Sequence, residues 1–298
     1  MELRTVDLFA GGGGLSLGFA NAGCKIVAAY DGWDKAVDLY AANFHGHPIF
    51  LRDLSDKNSP SEIKKFNPQI IIGGPPCQDF SSAGKRDEAR GKADLTISFA
   101  EIVCTVHPQY FVMENVPLAL NSKTLAEARK VFSKSGYGIT AKVLDASYCG
   151  VPQKRKRLFV IGAVGAKDGF LESFLADGLT TKKTTMRDYF GKSLGVEHYY
   201  RHPRSYSRRG VFGMDEPSPT VRGVNRPVPK GYPGHPGDAA KIHGLRPLTT
   251  RERSMVQTFP KSFKLVGGAT NVEQIIGNAV PVKLAEHVAK SLLAYIKK

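Results

Sequence analysis

The feature that most constrains this chain is the alternation of short apolar runs with helical stretches over its first 164 residues. Thr5–Phe9, Ile26–Tyr30, Gln69–Ile72, Tyr110–Met113, Ile139–Leu144 and Leu158–Val164 read as strands, and Ile49-Phe50-Leu51 as a further edge. Between them lie apolar residues at helical spacing. Val37, Tyr40, Ala41 and Phe44 mark one helix over 34–44. Leu95, Phe99, Ile102, Val103 and Val106 mark a second, and Leu125, Ala128, Val131 and Phe132 a third, stopped near Gly136. Repeated β-α units predict an α/β fold: a doubly wound, mostly parallel sheet with helices on both faces.

Composition changes after that. From about Met186 to Arg246 periodicity fades, prolines and glycines are dense, and tyrosines and arginines interleave through Tyr199, Tyr200, Arg201, Arg204, Tyr206, Arg208 and Arg209. This fits either a disordered stretch or a small, loop-rich second domain, and the retained aromatics and short apolar pairs favour the domain. The expected division is a catalytic part over 1–185, a recognition part over 186–262, and a segment over 263–298 that returns to the first. Thr249 and Glu252 form a capping-box pattern for a helix to about Phe259, and Pro281 is placed to start a last helix.

Net charge is +15. Between Thr181 and Arg253 there are 15 Lys/Arg against 6 Asp/Glu, so this quarter of the chain holds more than half of the excess. Such a surplus fits either a solubilising surface or a polyanionic partner, nucleic acid foremost. No apolar run is long enough to span a bilayer, and Met1-Glu2-Leu3-Arg4 leads straight into a strand without a signal-peptide pattern. A cytoplasmic protein without membrane contact is expected. Cys24, Cys77, Cys104 and Cys149 form no CxxC pair. Neither a metal site nor a disulfide framework is expected.

Several sequence patches sit where α/β proteins bind ligands, at the carboxyl ends of strands. Asp7-Leu-Phe-Ala-Gly-Gly-Gly-Gly-Leu-Ser-Leu-Gly-Phe19 runs from strand to glycines to helix. It suits either a ligand that approaches the backbone closely or a bare tight turn, and it matches neither the Walker pattern nor GxGxxG cleanly. Asp31 and Trp33 end the second strand. An acidic residue there suits ribose hydroxyls, and the single tryptophan suits either a purine face or the core. Asp53, after the Ile49-Phe50-Leu51 edge, suits either an adenine amino group or the open surface. Gly73-Gly-Pro-Pro-Cys77-Gln-Asp-Phe-Ser81 places a cysteine on a proline-stiffened loop, where a nucleophile is better served than a structural thiol. Glu114 ends another strand and suits acid-base work or gripping a base edge. Lys154-Arg155-Lys156-Arg157 suits a solvated charge run, but it leads into an apolar strand, which argues that some of these arginines point into the cleft instead.

Together these patches resemble the DNA cytosine-5 methyltransferase family, in its bacterial modification-enzyme form. The segment 7–19 resembles the family's cofactor motif, Pro75-Pro76-Cys77-Gln78 its Pro-Cys-Gln, Glu114-Asn115-Val116 its Glu-Asn-Val, and Gln153-Lys-Arg-Lys-Arg157 its Gln-x-Arg-x-Arg. Arg246–Arg253 and Gln274–Pro281 resemble its two C-terminal motifs. They occur in the family's order and cover the chain from about residue 5 to 290. The resemblance implies the S-adenosylmethionine-dependent methyltransferase fold, S-adenosyl-L-methionine as cofactor, and double-stranded DNA as partner.

The resemblance further implies roles. Cys77 would add to carbon 6 of a flipped-out cytosine, with Glu114, Arg155 and Arg157 as the other catalytic residues. Phe9, Gly11, Gly13, Asp31, Trp33, Asp53, Pro76, Leu95 and Asn278 would form the cofactor site. Gln78, Ser81, Arg209, Thr220 and Arg222 would contact DNA, with Thr220-Val221 matching a pair the family keeps in its variable region. One departure stands out: the family usually places a ribose-binding glutamate just before Trp33, and this chain has Gly32, leaving Asp31 to substitute. The chain is expected to act as a monomer. Two other readings compete: a transfer-RNA cytosine-5 methyltransferase, and a catalytically silent DNA-binding module.

Overall fold

The computed structural model describes residues 2–76 and 95–298. Its centre is a seven-stranded sheet built from β1 (Arg4–Leu8), β2 (Lys25–Asp31), β3 (Ile49–Leu51), β4 (Ile70–Gly73), β5 (Tyr110–Asn115), β6 (Tyr137–Asp145) and β8 (Lys156–Val164), in the order β3-β2-β1-β4-β5-β8-β6. All neighbours pair in parallel except β8, which runs antiparallel to both β5 and β6. The expected doubly wound, mostly parallel sheet is present.

Burial on both faces explains the apolar runs. Ile71, Val6, Leu8, Phe111 and Met113 join one buried cluster with residues of α4 (Leu95–Val106) and α5 (Lys123–Lys134). Ile70, Ile72 and Val112 point the other way, into a cluster with α1 (Gly14–Asn21) and α10 (Val282–Ile296). The period-2 alternation of a strand thus divides Ile70-Ile71-Ile72 between two cores. Roughly 1.5–3 kcal/mol accompanies each such aliphatic side chain removed from water.

Residues 186–262 contain α7 (Met186–Phe190), β9 (His198–Tyr200), β10 (Val211–Gly213), β11 (Ser218–Pro219), which pairs with β7 (Gln153–Lys154), and α8 (Thr250–Val256), and α9 (Ala269–Asn278) follows. A third apolar cluster joins Met186, Tyr199, Phe212 and Val221 to Ala36 and Leu39 of α2 (Asp34–Ala41) and to Val282. The segment 186–262 therefore shares a core with helices that flank the sheet.

Two helix ends differ from their sequence reading. α2 stops at Ala41, three residues short of Phe44, where Asn43 Nδ2 takes the Leu39 and Lys264 carbonyls. α8 stops at Val256 although both capping-box bonds of Thr249 and Glu252 form, because Thr258 turns to φ 61° and Gln257 is committed elsewhere. Pro281 caps α10 as read. The sequence reading did not find α9.

Candidate active site

The carboxyl edge of β1, β2, β4 and β5 opens into a cavity of about 1120 Å³. At its floor, β1 delivers the glycine turn. Gly11 sits at φ 53° and Gly13 at φ 78°, a region that favours glycine. Asp31 at the end of β2 holds this turn: Oδ2 accepts from the Gly11 N–H at 2.7 Å, and Oδ1 from the Trp33 N–H at 2.8 Å. Burial raises its carboxyl above the usual carboxylate value, against these bonds. Beneath the turn, Asp7 is fully buried and accepts from the N–H and hydroxyl of Ser16 in α1 at 3.1 and 2.6 Å. Burial pushes Asp7 up to about 7.

Of the residues expected around a cofactor, Phe9, Gly11, Asp31, Trp33, Asp53, Pro76, Leu95 and Asn278 line this cavity. Asp53 Oδ1 accepts from the Ser55 N–H and hydroxyl at 2.9 and 2.7 Å. Gly13 does not line the cavity. A Cβ there would stand 2.4 Å from the Phe44 ring and 3.0 Å from that of Tyr40, so a glycine suits both the turn and this packing. Among the described residues, the cations lining the cavity are paired with carboxylates: Arg52 with Glu62 at 2.9 Å and Asp56 at 3.3 Å, Arg157 with Glu114.

Glu114 and Arg157 also line the cavity. Arg157 Nε lies 2.7 Å from Glu114 Oε1. The strand directions explain the meeting. Glu114 lies one residue before the end of β5. β8 runs the opposite way and pairs Leu158 with Asn115, so Arg157 arrives at the same edge. Gly74 lets the carboxylate lie close, since a Cβ there would stand 3.1 Å from Glu114 Oε2. Burial raises the Glu114 carboxyl above its usual range, opposed by the charges of Arg157 and Arg155. Asn115 Nδ2 donates to the Pro75 carbonyl at 3.3 Å, tying β5 to the loop that approaches Cys77. Cys77, Gln78 and Ser81 lie outside the described residues.

The cation run divides by strand periodicity. Lys154 and Lys156 are exposed, Arg155 is buried, and Arg157 faces the cavity. Arg155, expected among the catalytic residues, does not line the cavity. Its guanidinium donates to the carbonyls of Val221 at 3.1 Å, Gly277 at 3.0 Å and Asn278 at 3.2 Å. Gln153 beside it accepts from the Val221 N–H at 2.8 Å and donates to Gln257 Oε1 at 2.7 Å, and Gln257 holds the Ile276 and Ala279 carbonyls. This buried seam binds Val221 to the cavity wall at Asn278. Sequence reasoning missed Gln257, whose only signal is its place after α8.

Among the expected DNA contacts, Thr220 donates its hydroxyl to the Lys154 carbonyl at 2.7 Å, and Arg222 donates to the His202 carbonyl. Arg209 is paired with Glu216 and lies 4.3 Å over the Phe212 ring. Among the described residues no His, Cys, Asp and Glu group could hold a metal ion, and no helix is long and apolar enough to cross a membrane.

A family model for the C-5 cytosine-specific DNA methylases matches residues 3–294. The chain belongs to this family. The methylase is 54% identical over 299 residues to Type II methyltransferase M.HindV of Haemophilus influenzae, covering 99% of this chain and 98% of that one. It is 53% identical over 297 residues to Type II methyltransferase M.HgiDI of Herpetosiphon aurantiacus, covering 99% and 96%. Among solved structures, the S. pombe Dnmt2 methyltransferase matches with a TM-score of 0.74 at 20% identity over 100% of both chains, a likeness of fold. The methylase is thus a DNA (cytosine-5) methyltransferase of the Type II kind.

Proposed function

We propose that this methylase transfers a methyl group from S-adenosyl-L-methionine to carbon 5 of a flipped-out cytosine in a specific short duplex sequence, through a covalent Cys77 adduct. The observation that carries the reading is the Glu114–Arg157 pair in the same cavity as Trp33, Asp53 and the glycine turn. Acid-base groups and a nucleoside-shaped lining share one space. Phe9, Gly11, Trp33, Asp53, Pro76, Leu95 and Asn278 would hold the cofactor. Asp31 serves chiefly by fixing the turn, and its remaining acceptor capacity stands in for the glutamate that Gly32 replaces.

When bound, the cofactor supplies an electrophilic methyl on a sulfonium. The rest of the chemistry belongs to the chain. The Cys77 thiolate adds to carbon 6 of cytosine, which makes carbon 5 nucleophilic. Glu114, its carboxyl raised by burial, holds a proton toward ring nitrogen 3 and accepts from the amino group. Arg157 steadies Glu114 and donates to the ring carbonyl. Arg155 is a positioning residue rather than one that touches the base. Loss of the carbon 5 proton then expels Cys77. The base must leave the duplex to reach this cavity, at a cost of a few kcal/mol.

The names of the relatives support a modification enzyme that accompanies a restriction enzyme. It would act in the cytoplasm on the nucleoid, as a monomer that treats each strand in turn. Methyl transfer to duplex DNA and to transfer RNA, measured side by side, tests the substrate. Labelled DNA and unlabelled RNA support the reading, and the reverse overturns it. Duplex binding that traps no adduct on 5-fluorocytosine DNA would leave a silent binding module instead.

A further inference from the structure

The recognition part carries a cluster of arginines that the chemistry above does not use. The segments 198–204 and 220–226 run side by side. Arg201 Nη2 donates to the Thr220 carbonyl at 2.9 Å, Arg222 to the His202 carbonyl, and Arg253 of α8 to the Arg222 carbonyl. These cross-bonds draw three guanidinium groups together. Arg204 and Arg226 extend from the same two segments, are exposed, and act electrostatically on Arg222. Among the described residues, only Arg253 of the five has a carboxylate partner, Glu273.

Like charges repel, so convergence without counter-charge leaves a strong local positive potential. Arg201 and Arg222 are half-buried and spend donors on backbone carbonyls, which fixes them without neutralising them. Arg209, nearby in sequence, is the contrast: Glu216 neutralises it and Phe212 covers it. The cluster also borders an aromatic group, with Tyr200, His202, Tyr206 and Tyr232 packed edge to face and Tyr206 exposed.

We propose that exposed Arg204 and Arg226, backed by half-buried Arg201 and Arg222, form a clamp for a backbone phosphodiester of duplex DNA. Planar guanidinium groups match paired phosphate oxygens. The clamp is also indexed to the reaction site. Val221, next to Arg222, has its N–H held by Gln153 and its carbonyl by Arg155, on the segment that leads into β8, where Arg157 stands. A phosphate gripped there stands at a fixed offset from Glu114. Phosphate contacts set position without reading sequence, so the clamp supports target and non-target duplexes alike.

The inference rests on duplex DNA being the substrate, and its test separates the two claims. Binding of a short fluorescent duplex is measured against salt concentration for the wild type, Arg204→Ala, Arg226→Ala, the double variant, and a control with Lys130→Ala and Lys134→Ala on α5. Each clamp substitution should weaken binding severalfold on target and non-target duplex and lower the salt slope by about 0.9. The double variant should lose about twice that slope, and the control should keep it. Thermal unfolding checks that the variants fold, which the exposed positions favour. If wild type methylates DNA and the double variant keeps its full slope, the clamp is wrong while the substrate reading stands. A double variant that loses transfer-RNA binding but keeps duplex affinity would also overturn it. If the wild type does not bind duplex at all, the substrate reading fails first.

Discussion

Arg157 Nε lies 2.7 Å from Glu114 Oε1, and the two residues reach that meeting from opposite strand directions. The single antiparallel strand of the sheet brings a cation to an edge that would otherwise gather residues from parallel strands alone. The pairing leaves the net shift of Glu114 upward, since burial outweighs the arginine charges.

Glu114→Gln should therefore cost about 10²- to 10⁴-fold in kcat while leaving cofactor affinity near wild type. A carboxyl with a raised pKa keeps its proton to higher pH, and the rate should fall as pH rises through that value. The alkaline limb of the pH-rate profile should belong to Glu114 and vanish in the glutamine variant. An unchanged limb in Glu114→Gln would assign it to another group.

Arg155→Ala should destabilise the fold by ~3–5 kcal/mol, because two buried carbonyls and a part-buried one lose one shared charged donor. Arg155→Lys should recover part of the stability. Denaturant unfolding measures the loss, and kcat per folded molecule separates positioning from chemistry. A fully folded Arg155→Ala with no activity would make Arg155 a residue that touches substrate after all.

These two arginines show what was legible in the sequence. Their alternation with Lys154 and Lys156 marks a strand with one cleft face, and Arg157 follows directly. The role of Arg155 was not legible, because its partners lie 66, 122 and 123 residues away and are backbone carbonyls, which leave no side-chain signature. The strands were legible because burial on both faces demands unbroken apolar runs such as Ile70-Ile71-Ile72. α9 was not, since Gly268 caps it without a side-chain bond. Gly13 illustrates a third case. Its motif is visible, yet only the structure shows that the positive φ and the nearby Phe44 ring both require a glycine there.

Asp7 gives a stability prediction. Its folded value of about 7 lies above its ordinary value, so the folded state holds this proton longer than the unfolded chain. Its contribution is fully present below about pH 4 and is lost as pH rises to about 7, by ~4 kcal/mol. The stability difference between wild type and Asp7→Asn should change across that window and level off above it. A difference that is flat from pH 4 to 7 would contradict the burial argument.

Trp33 is the only tryptophan and lines the cavity. Adding S-adenosylhomocysteine should quench its fluorescence and give a Kd directly. Asp53→Ala should raise that Kd about tenfold or more, as expected for one hydrogen bond to a charged group. Quenching with an unchanged Kd in Asp53→Ala would remove Asp53 from the cofactor site.

The central claim is covalent methyl transfer to cytosine in duplex DNA. Its most direct test is transfer of tritiated methyl from S-adenosyl-L-methionine to unmethylated genomic DNA by wild type and Cys77→Ala, followed by bisulfite sequencing. The account predicts label at cytosines in one short sequence context with wild type and none with Cys77→Ala. Label that persists in Cys77→Ala, or that appears at adenines, would contradict it.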